Sequence, residues 1–243
     1  MDYAIVSEKG ERQVNEDAVA AVECDGNWLF VLADGLGGHG HGEVASGIVT
    51  EAARDILDGG QCGFEKTGAL IETVLEEAQA RLFERQEKDS DLSSYKTTAV
   101  LLAVSGDSVR WGYIGDSRLY YFRKNRLMTR TLDHSVPQML VNAGKLKEKQ
   151  IRGHEDRNKL LRVLGTRYES VKYVIDIPVR REERQAFLLC SDGFWEWIDE
   201  KKMIRLLKKS HSAQEWLDLM TEEVVKNGRG NHMDNYSAAA ILL

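Results

Sequence analysis

Two short acidic turns, far apart in the chain, share one pattern. Asp34-Gly35 follows the apolar run 28–32, and Asp192-Gly193 follows the apolar run 187–190. A glycine lets the backbone turn sharply and bring a carbonyl oxygen close to whatever the carboxylate binds. Carboxylate and carbonyl oxygens are the ligands that hard cations such as Mg²⁺ and Mn²⁺ prefer. The two turns therefore predict a cation site, although Asp-Gly is also common in plain turns.

Further acids stand at the ends of other apolar runs. Glu16 and Asp17 precede the run 18–22, Asp116 follows the run 109–114, and Asp234 precedes the run 236–241. Carboxylates brought together by folding would repel each other strongly unless a cation lay between them. The whole set therefore predicts a cation site more firmly than any one member does.

The elements that must position these acids are mainly strands. Apolar runs rich in branched and aromatic residues predict strands near 2–7, 18–23, 28–34, 97–104, 108–115, 118–123, 171–178, 186–191 and 236–242. Helical periodicity predicts helices over 42–58, 67–87, 200–208 and 213–226. Strands mostly follow one another directly, which favours antiparallel sheets with helices layered on their outer faces. The polar segment of about 131–170 interrupts the succession of predicted strands, and we interpret it as a flap beside the site.

Composition excludes several classes of protein. The 243 residues carry a net charge of −6, whereas a nucleic-acid surface needs a basic face. No apolar stretch approaches the ~20 residues of a membrane span, and the first residues do not resemble a signal peptide. With only two prolines and no visible linker, the chain is expected to form one domain, 1–243, that is soluble and cytoplasmic.

Two local patterns leave alternatives open. The run 35–40 satisfies the G-x-G-x-x-G pattern of a dinucleotide-binding turn, but Asp34 would place a negative charge where pyrophosphate should lie. A second helix, and not a strand, is also predicted after 42–58. Arg12 lies four residues before Glu16, so it could form a structural salt bridge or clamp a phosphate between its parallel N–H donors.

Seven short motifs, in order along the chain, resemble those of the metal-dependent serine/threonine phosphatases of the 2C type. They are Arg12-Gln13-Val14-Asn15-Glu16-Asp17, Ala33-Asp34-Gly35-Leu36-Gly37-Gly38, Lys96-Thr97-Thr98-Ala99, Gly115-Asp116-Ser117-Arg118, Asp133-His134-Ser135, Ser191-Asp192-Gly193 and Asp234-Asn235. The likeness runs from residue 12 to the end and is closest to the short bacterial branch that consists of the catalytic domain alone. It implies an α+β fold, a four-layer α-β-β-α sandwich of two antiparallel sheets flanked by helix pairs.

The resemblance also implies a role for each site residue. Asp34 would bridge two Mn²⁺ or Mg²⁺ ions, and Arg12 would bind the phosphate. The remaining ligands would be the Gly35 carbonyl and Glu16 on one side and Asp192 and Asp234 on the other, with Asp116 and Asp192 able to hold a third ion. Asp17 and Asn235 would lie in the shell behind the ligands, with Asp17 acting through bound water.

The activity that the resemblance implies is hydrolysis of phosphoserine and phosphothreonine in proteins, by in-line attack of a water that the two ions activate. Its implied partners are phosphoprotein substrates and a serine/threonine kinase. Leu36 stands where many eukaryotic relatives have a histidine proposed as the general acid, which leaves that role to a metal-bound water or His39. A catalytically silent, phosphoprotein-binding pseudophosphatase is the alternative.

Overall fold

Two antiparallel sheets form the centre of the protein. The computed structural model describes residues 1–37, 41–59, 67–92, 94–168 and 172–243, and within these ranges it contains eleven strands and six α-helices. The strands are β1 Asp2–Glu8, β2 Asp17–Cys24, β3 Asn27–Asp34, β4 Ala99–Ser105, β5 Ser108–Ile114, β6 Arg118–Arg123, β7 Arg126–Arg130, β8 Val174–Ile175, β9 Val179–Arg180, β10 Gln185–Cys190 and β11 Tyr236–Leu242. The helices are α1 Gly42–Asp58, α2 Thr67–Lys88, α3 Val136–Asn142, α4 Asp192–Trp195, α5 Glu200–Leu207 and α6 Ala213–Gly228.

The order of strands brings the two chain ends together. One sheet has the order β1-β11-β10-β6-β7, and the other has the order β2-β3-β4-β5-β8, with β9 also paired to β5. The first and last strands are therefore neighbours. None of the helices in the described ranges is long and apolar enough to cross a membrane.

Alternation along the strands separates three layers of buried side chains. In β3, Leu29 and Val31 face a cluster that includes the apolar stripes of α1 and α2, whereas Phe30 and Leu32 face the other sheet. In β11, Ala238 and Ala240 belong to a third cluster, which includes the stripes of α5 and α6. Because successive side chains of a strand point to opposite faces, each sheet contacts helices on one face and the other sheet on the second. The predicted α-β-β-α sandwich is confirmed.

Some elements differ from the sequence prediction. Strand β7 was not predicted, since its outward positions are polar and Met128 is left 54% exposed at the edge of the sheet. In the described part of the predicted strand near 171–178, only β8, Val174–Ile175, is a strand, and β9, Val179–Arg180, follows just beyond it. The predicted turn at Asp192-Gly193 is the start of the short helix α4.

The segment 131–168 packs against the end of β10 and the residues that follow it. Helix α3 is capped by the Ser135 hydroxyl, and Ser135 also pairs with Leu160 across the segment. Arg152 donates hydrogen bonds to the carbonyl oxygens of Trp195 and Ile198, at 3.0 and 3.2 Å. The segment therefore lies beside α4, as a flap near Asp192 would, and its movement stays a prediction.

Candidate metal centre

One cleft contains almost all of the predicted site residues. It has a volume of about 490 Å³ and opens where the ends of strands from both sheets meet. Its lining consists of Arg12, Glu16, Asp34, Gly35, Leu36, Gly37, Asp116, Asn158, Leu160, Asp192, Asp234 and Asn235. Of the predicted site residues, only Asp17 does not line it. Residues predicted from five separate parts of the sequence are thus brought to one place.

Strand pairing fixes the positions of the central acids. Asp17 and Asp34 are direct partners in the register of β2 and β3. The Asp34 N–H donates to the Thr98 hydroxyl at 3.0 Å, and the Thr98 N–H donates to the Asp34 carbonyl oxygen at 2.9 Å. Asp192 follows β10 and Asp234 precedes β11, which are adjacent strands of the other sheet. The carboxylates therefore come from the ends of both sheets.

Glycines beside Glu16 make room for its carboxylate. A Cβ atom added at Gly37 or Gly42 would overlap the Glu16 carboxylate, and one added at Gly35 would overlap the backbone of Gly42. The glycine-rich run therefore surrounds a carboxylate of this chain, and α1 is followed by α2 and not by a strand. Both observations go against the dinucleotide alternative. Gly38, His39 and Gly40, including the histidine considered as a general acid, lie outside the described residues.

Asn235 holds the loop that carries Arg12 and Glu16. Its Oδ1 accepts a hydrogen bond from the Glu16 N–H at 2.9 Å. Its Nδ2 donates to the carbonyl oxygens of Lys9 and Val14, both at 2.9 Å. An amide side chain can accept and donate at once, which suits it to join a loop to a strand. Asn235 thus joins this loop to the residues before β11, and its place in the shell behind the ligands stays a prediction.

Arg12 lies at the rim of the cleft. Its Nη2 donates to Asp234 Oδ2 at 2.7 Å, and the two side chains are 55% and 36% exposed. Of the two interpretations of Arg12, the salt bridge is the one present in this structure. An exposed guanidinium retains N–H donors that face solvent, so the pair leaves room for an anion at the rim.

Burial and mutual repulsion dominate the electrostatics of the cleft. Burial, followed by the charges of Asp17 and Asp192, raises the pKa of Asp34 well above its ordinary value. Burial and the charge of Asp192 do the same to the pKa of Asp116. Burial and the charge of Asp234 raise the pKa of Asp192 to about 6, although a hydrogen bond with the Asp34 side chain lowers it.

Asp17 lies behind the cleft and is only 9% exposed. The Ser191 hydroxyl donates to Asp17 Oδ2 at 2.8 Å and itself accepts from the Ser237 N–H at 2.9 Å. Among the described residues nothing donates to the buried Asp17 Oδ1. Burial raises the pKa of Asp17 to about 7, against the opposing effect of the serine hydrogen bonds. A buried carboxylate oxygen without a donor is suited to a water or a cation.

The donor set fits divalent cations of the Mg²⁺ and Mn²⁺ class. Among the described residues that line the cleft, every charged group other than Arg12 is a carboxylate, so the available ligands are hard oxygen atoms. Within the described ranges, no three acidic, histidine or cysteine side chains already surround one point at ligating distance. Cations would offset the burial and the mutual repulsion that raise the pKa values of Asp34 and Asp116.

Several residues of the site had no role in the sequence prediction. Thr98 and Ser191 stand within two of the seven motifs, and their hydroxyls hold Asp34 and Asp17. Asn158 and Leu160 reach the cleft from the segment 131–168. In the same segment, Arg157 Nε donates to Glu196 Oε1 at 2.8 Å, just beyond α4. The two motif residues could have been found from their neighbours, whereas the other contacts depend on the tertiary fold.

Comparisons with known proteins agree with the geometry. The family model described as Protein phosphatase 2C matches residues 7–228. The serine/threonine phosphatase stp of Listeria welshimeri is 31% identical over 218 residues, which are 86% of this chain and 83% of the relative.

Solved structures give the same result for the fold. The serine/threonine phosphatase Stp1 of Staphylococcus aureus has 25% sequence identity and a TM-score of 0.88, with coverage of 100% of this chain and 95% of that one. The catalytic domain of the serine/threonine protein phosphatase PstP, solved with 2 manganese ions, has 27% identity and a TM-score of 0.80, with coverage of 98% and 96%. This chain therefore belongs to the protein phosphatase 2C family, and it is a protein phosphatase, as the seven motifs predicted.

Proposed function

We propose that the chain removes phosphate from phosphoserine and phosphothreonine in proteins, with two divalent cations, Mn²⁺ or Mg²⁺, held in the cleft. The observation that carries this proposal is the meeting of five acidic side chains, from Glu16 to Asp234, with one arginine at the rim. Carboxylates bind the cations and the guanidinium binds the phosphate, so both halves of a phosphoester site are present.

We infer the following division of roles. Asp34 would serve both ions, Gly35 (through its carbonyl oxygen) and Glu16 would hold one, and Asp192 and Asp234 would hold the other. Asp116 and Asp192 would hold a third. Bound cations would lower the pKa of a water and neutralise charge on the phosphoryl group. Asp17, with its open Oδ1, would orient a water behind the ions.

Arg12 would bind two phosphoryl oxygens through its parallel N–H donors. Its Nη2 is bonded to Asp234 in the present structure, so a phosphate that binds at this nitrogen must replace Asp234. That exchange frees the Asp234 carboxylate for a cation and brings the guanidinium to the substrate. Because both side chains are exposed, breaking this ion pair costs little free energy.

The proposal is tested by the hydrolysis of para-nitrophenyl phosphate and of a phosphothreonine peptide. We expect turnover that requires Mn²⁺ or Mg²⁺ and stops when a chelator is added, and we expect Asp34→Asn and Asp192→Asn to lose it. Wild-type protein that turns over no faster than these variants, with Mn²⁺ in excess, would overturn the proposal. Tight peptide binding without turnover would favour the pseudophosphatase alternative.

The biological setting is inferred from the same chemistry. A serine/threonine kinase must supply the phosphoproteins, so we propose such a kinase as a partner and place both proteins in the cytoplasm. The comparison of phosphoproteomes between a strain without the protein and a strain with only its Asp192→Asn form tests this inference. Substrates should accumulate phosphate equally in both.

A further inference from the structure

One buried tryptophan connects two of the acidic segments of the cleft. Trp195 ends the short helix α4, which begins at Asp192, and its N–H donates to the Ser191 carbonyl oxygen at 3.2 Å. Its indole Nε1–H donates to the carbonyl oxygen of Asp116 at 3.0 Å, 79 residues away in sequence. Because Trp195 is only 2% exposed, water does not compete for this bond. One rigid side chain thus spans the distance from the Asp192 turn to the Asp116 backbone.

The tryptophan is itself held in place. The Cζ atom of Arg118 lies 3.4 Å from the centre of its ring. Arg118 is fixed in turn by two hydrogen bonds to Asp133, at 2.8 and 2.6 Å, and the side chains of this pair are 2% and 1% exposed. On the backbone side, Arg152 Nε donates to the Trp195 carbonyl oxygen at 3.0 Å. The indole therefore has little freedom to follow a movement of Asp116.

We propose that Trp195 is a positioning residue that sets the separation of Asp116 and Asp192, and so the affinity for a divalent cation that these two carboxylates share. The inference rests on the proposed function, because it takes Asp116 and Asp192 as cation ligands. Two carboxylates in a shared cleft repel each other, and only a fixed backbone keeps them close enough to ligate one ion. The pairing of β6 with β10, which sets Arg118 opposite Cys190, fixes the strands that lead to the two acids, and the indole hydrogen bond adds a restraint between α4 and the Asp116 carbonyl oxygen.

The matched control is a second buried tryptophan. Trp216 is 0% exposed, and its Nε1–H donates to the Met203 carbonyl oxygen at 3.1 Å, in the helix layer away from the cleft. Trp195→Phe and Trp216→Phe each remove one buried indole hydrogen bond and leave an aromatic ring. Both should lower the melting temperature, but only the first removes a contact to an acidic segment of the cleft.

The experiment measures Mn²⁺ binding by equilibrium dialysis on the full chain, without substrate, for wild type, Trp195→Phe, Trp216→Phe and Asp116→Asn. We expect Asp116→Asn to remove the weakest class of bound ion. Trp195→Phe should weaken that class about tenfold, as the loss of a residue that orients a ligand does, with the tighter ions unchanged. Trp216→Phe should bind as wild type does.

Three results would overturn the proposal: unchanged weak-ion affinity in Trp195→Phe, an equal loss in Trp216→Phe, or a full complement of ions in Asp116→Asn. The last would leave the binuclear phosphatase proposal standing, since that rests on Asp34 and Asp192. If Trp195→Phe fails to fold, the replacement of Trp195 by 3-benzothienylalanine keeps the bicyclic shape and removes only the N–H donor. Unchanged binding in that variant would equally overturn the proposal.

Discussion

Arg12 and Asp234 are 222 residues apart in sequence, yet Arg12 Nη2 donates to Asp234 Oδ2 at 2.7 Å at the rim of the cleft. Both side chains are substantially exposed. The pair therefore contributes little to stability, since exposed ion pairs give only about 0–1 kcal/mol. It keeps a guanidinium and a carboxylate at the place where a phosphate and a cation would each need one.

Arg12→Ala should lower kcat/KM for a phosphopeptide about 100-fold, because the transition state loses a charged donor. The melting temperature should change little. Arg167→Ala is the matched control, since Arg167 is 60% exposed and bonded to Glu87 at 2.8 Å, outside the cleft lining. Equal kcat/KM in the two variants would show that Arg12 does not act on the substrate.

Gly37→Ala should weaken Mn²⁺ binding about tenfold or more, because the new Cβ would displace the Glu16 carboxylate and a displaced ligand loses affinity. Gly47→Ala is the control. Nothing lies within 4 Å of a Cβ at Gly47, which is inside α1, so this change should leave binding unchanged. It should also stabilise the protein by about 0.5–1 kcal/mol. Isothermal titration of both variants with Mn²⁺ tests the difference, and identical isotherms would contradict it.

The stability of the metal-free protein should depend on pH through Asp17. Its pKa is about 7 in the folded protein and 3.8 without the fold, so between these values the folded state binds more protons. The contribution of Asp17 to the free energy of unfolding therefore falls as pH rises from 4 to 7. We expect urea unfolding in a chelator to show wild type losing stability relative to Asp17→Asn over this range. A constant difference between the two would contradict the prediction.

Asp133→Ala should lower the free energy of unfolding by about 3–5 kcal/mol, because it leaves the buried Arg118 guanidinium without its partner. Glu87→Ala, which breaks the exposed pair with Arg167, should cost no more than about 1 kcal/mol. Urea unfolding compares the two. Similar losses would mean that Arg118 finds other acceptors.

The strands that could be predicted from the sequence are those with continuous apolar runs. Residues 28–34 were predicted as a strand and β3 is Asn27–Asp34, because both of its faces are buried and so both are apolar. The edge strand β7 has no such pattern, since it contacts the core on one side only. Helix α4 was not predicted because Asp-Gly favours a turn; the helix is defined by the backbone hydrogen bonds from the N–H groups of Trp195 and Glu196 to the carbonyl oxygens of Ser191 and Asp192.

The site, too, could be predicted from the sequence only in part. Its carboxylates stand at the ends of apolar runs, so their residue types and positions indicated that they belong to a site. The contact between Trp195 and Asp116 could not be predicted from residue types or spacing. It joins an indole N–H to a backbone carbonyl oxygen across 79 residues, and every residue type supplies that acceptor. Contacts of this kind follow from the packing of elements and not from the motif that each element carries.

The pairing of β1 with β11 sets an order for the assembly of the cleft. The two strands match over seven residue pairs, from Asp2 with Leu242 to Glu8 with Tyr236, and they place Arg12 and Asp234 side by side. A chain still on the ribosome carries Arg12, Glu16 and Asp34 early, but it lacks Asp234 and Asn235 until β11 is about to follow. With the ligand roles proposed above, the cleft gains Asp234 and the pairing of β1 with β11 long after Arg12, Glu16 and Asp34 have been synthesised.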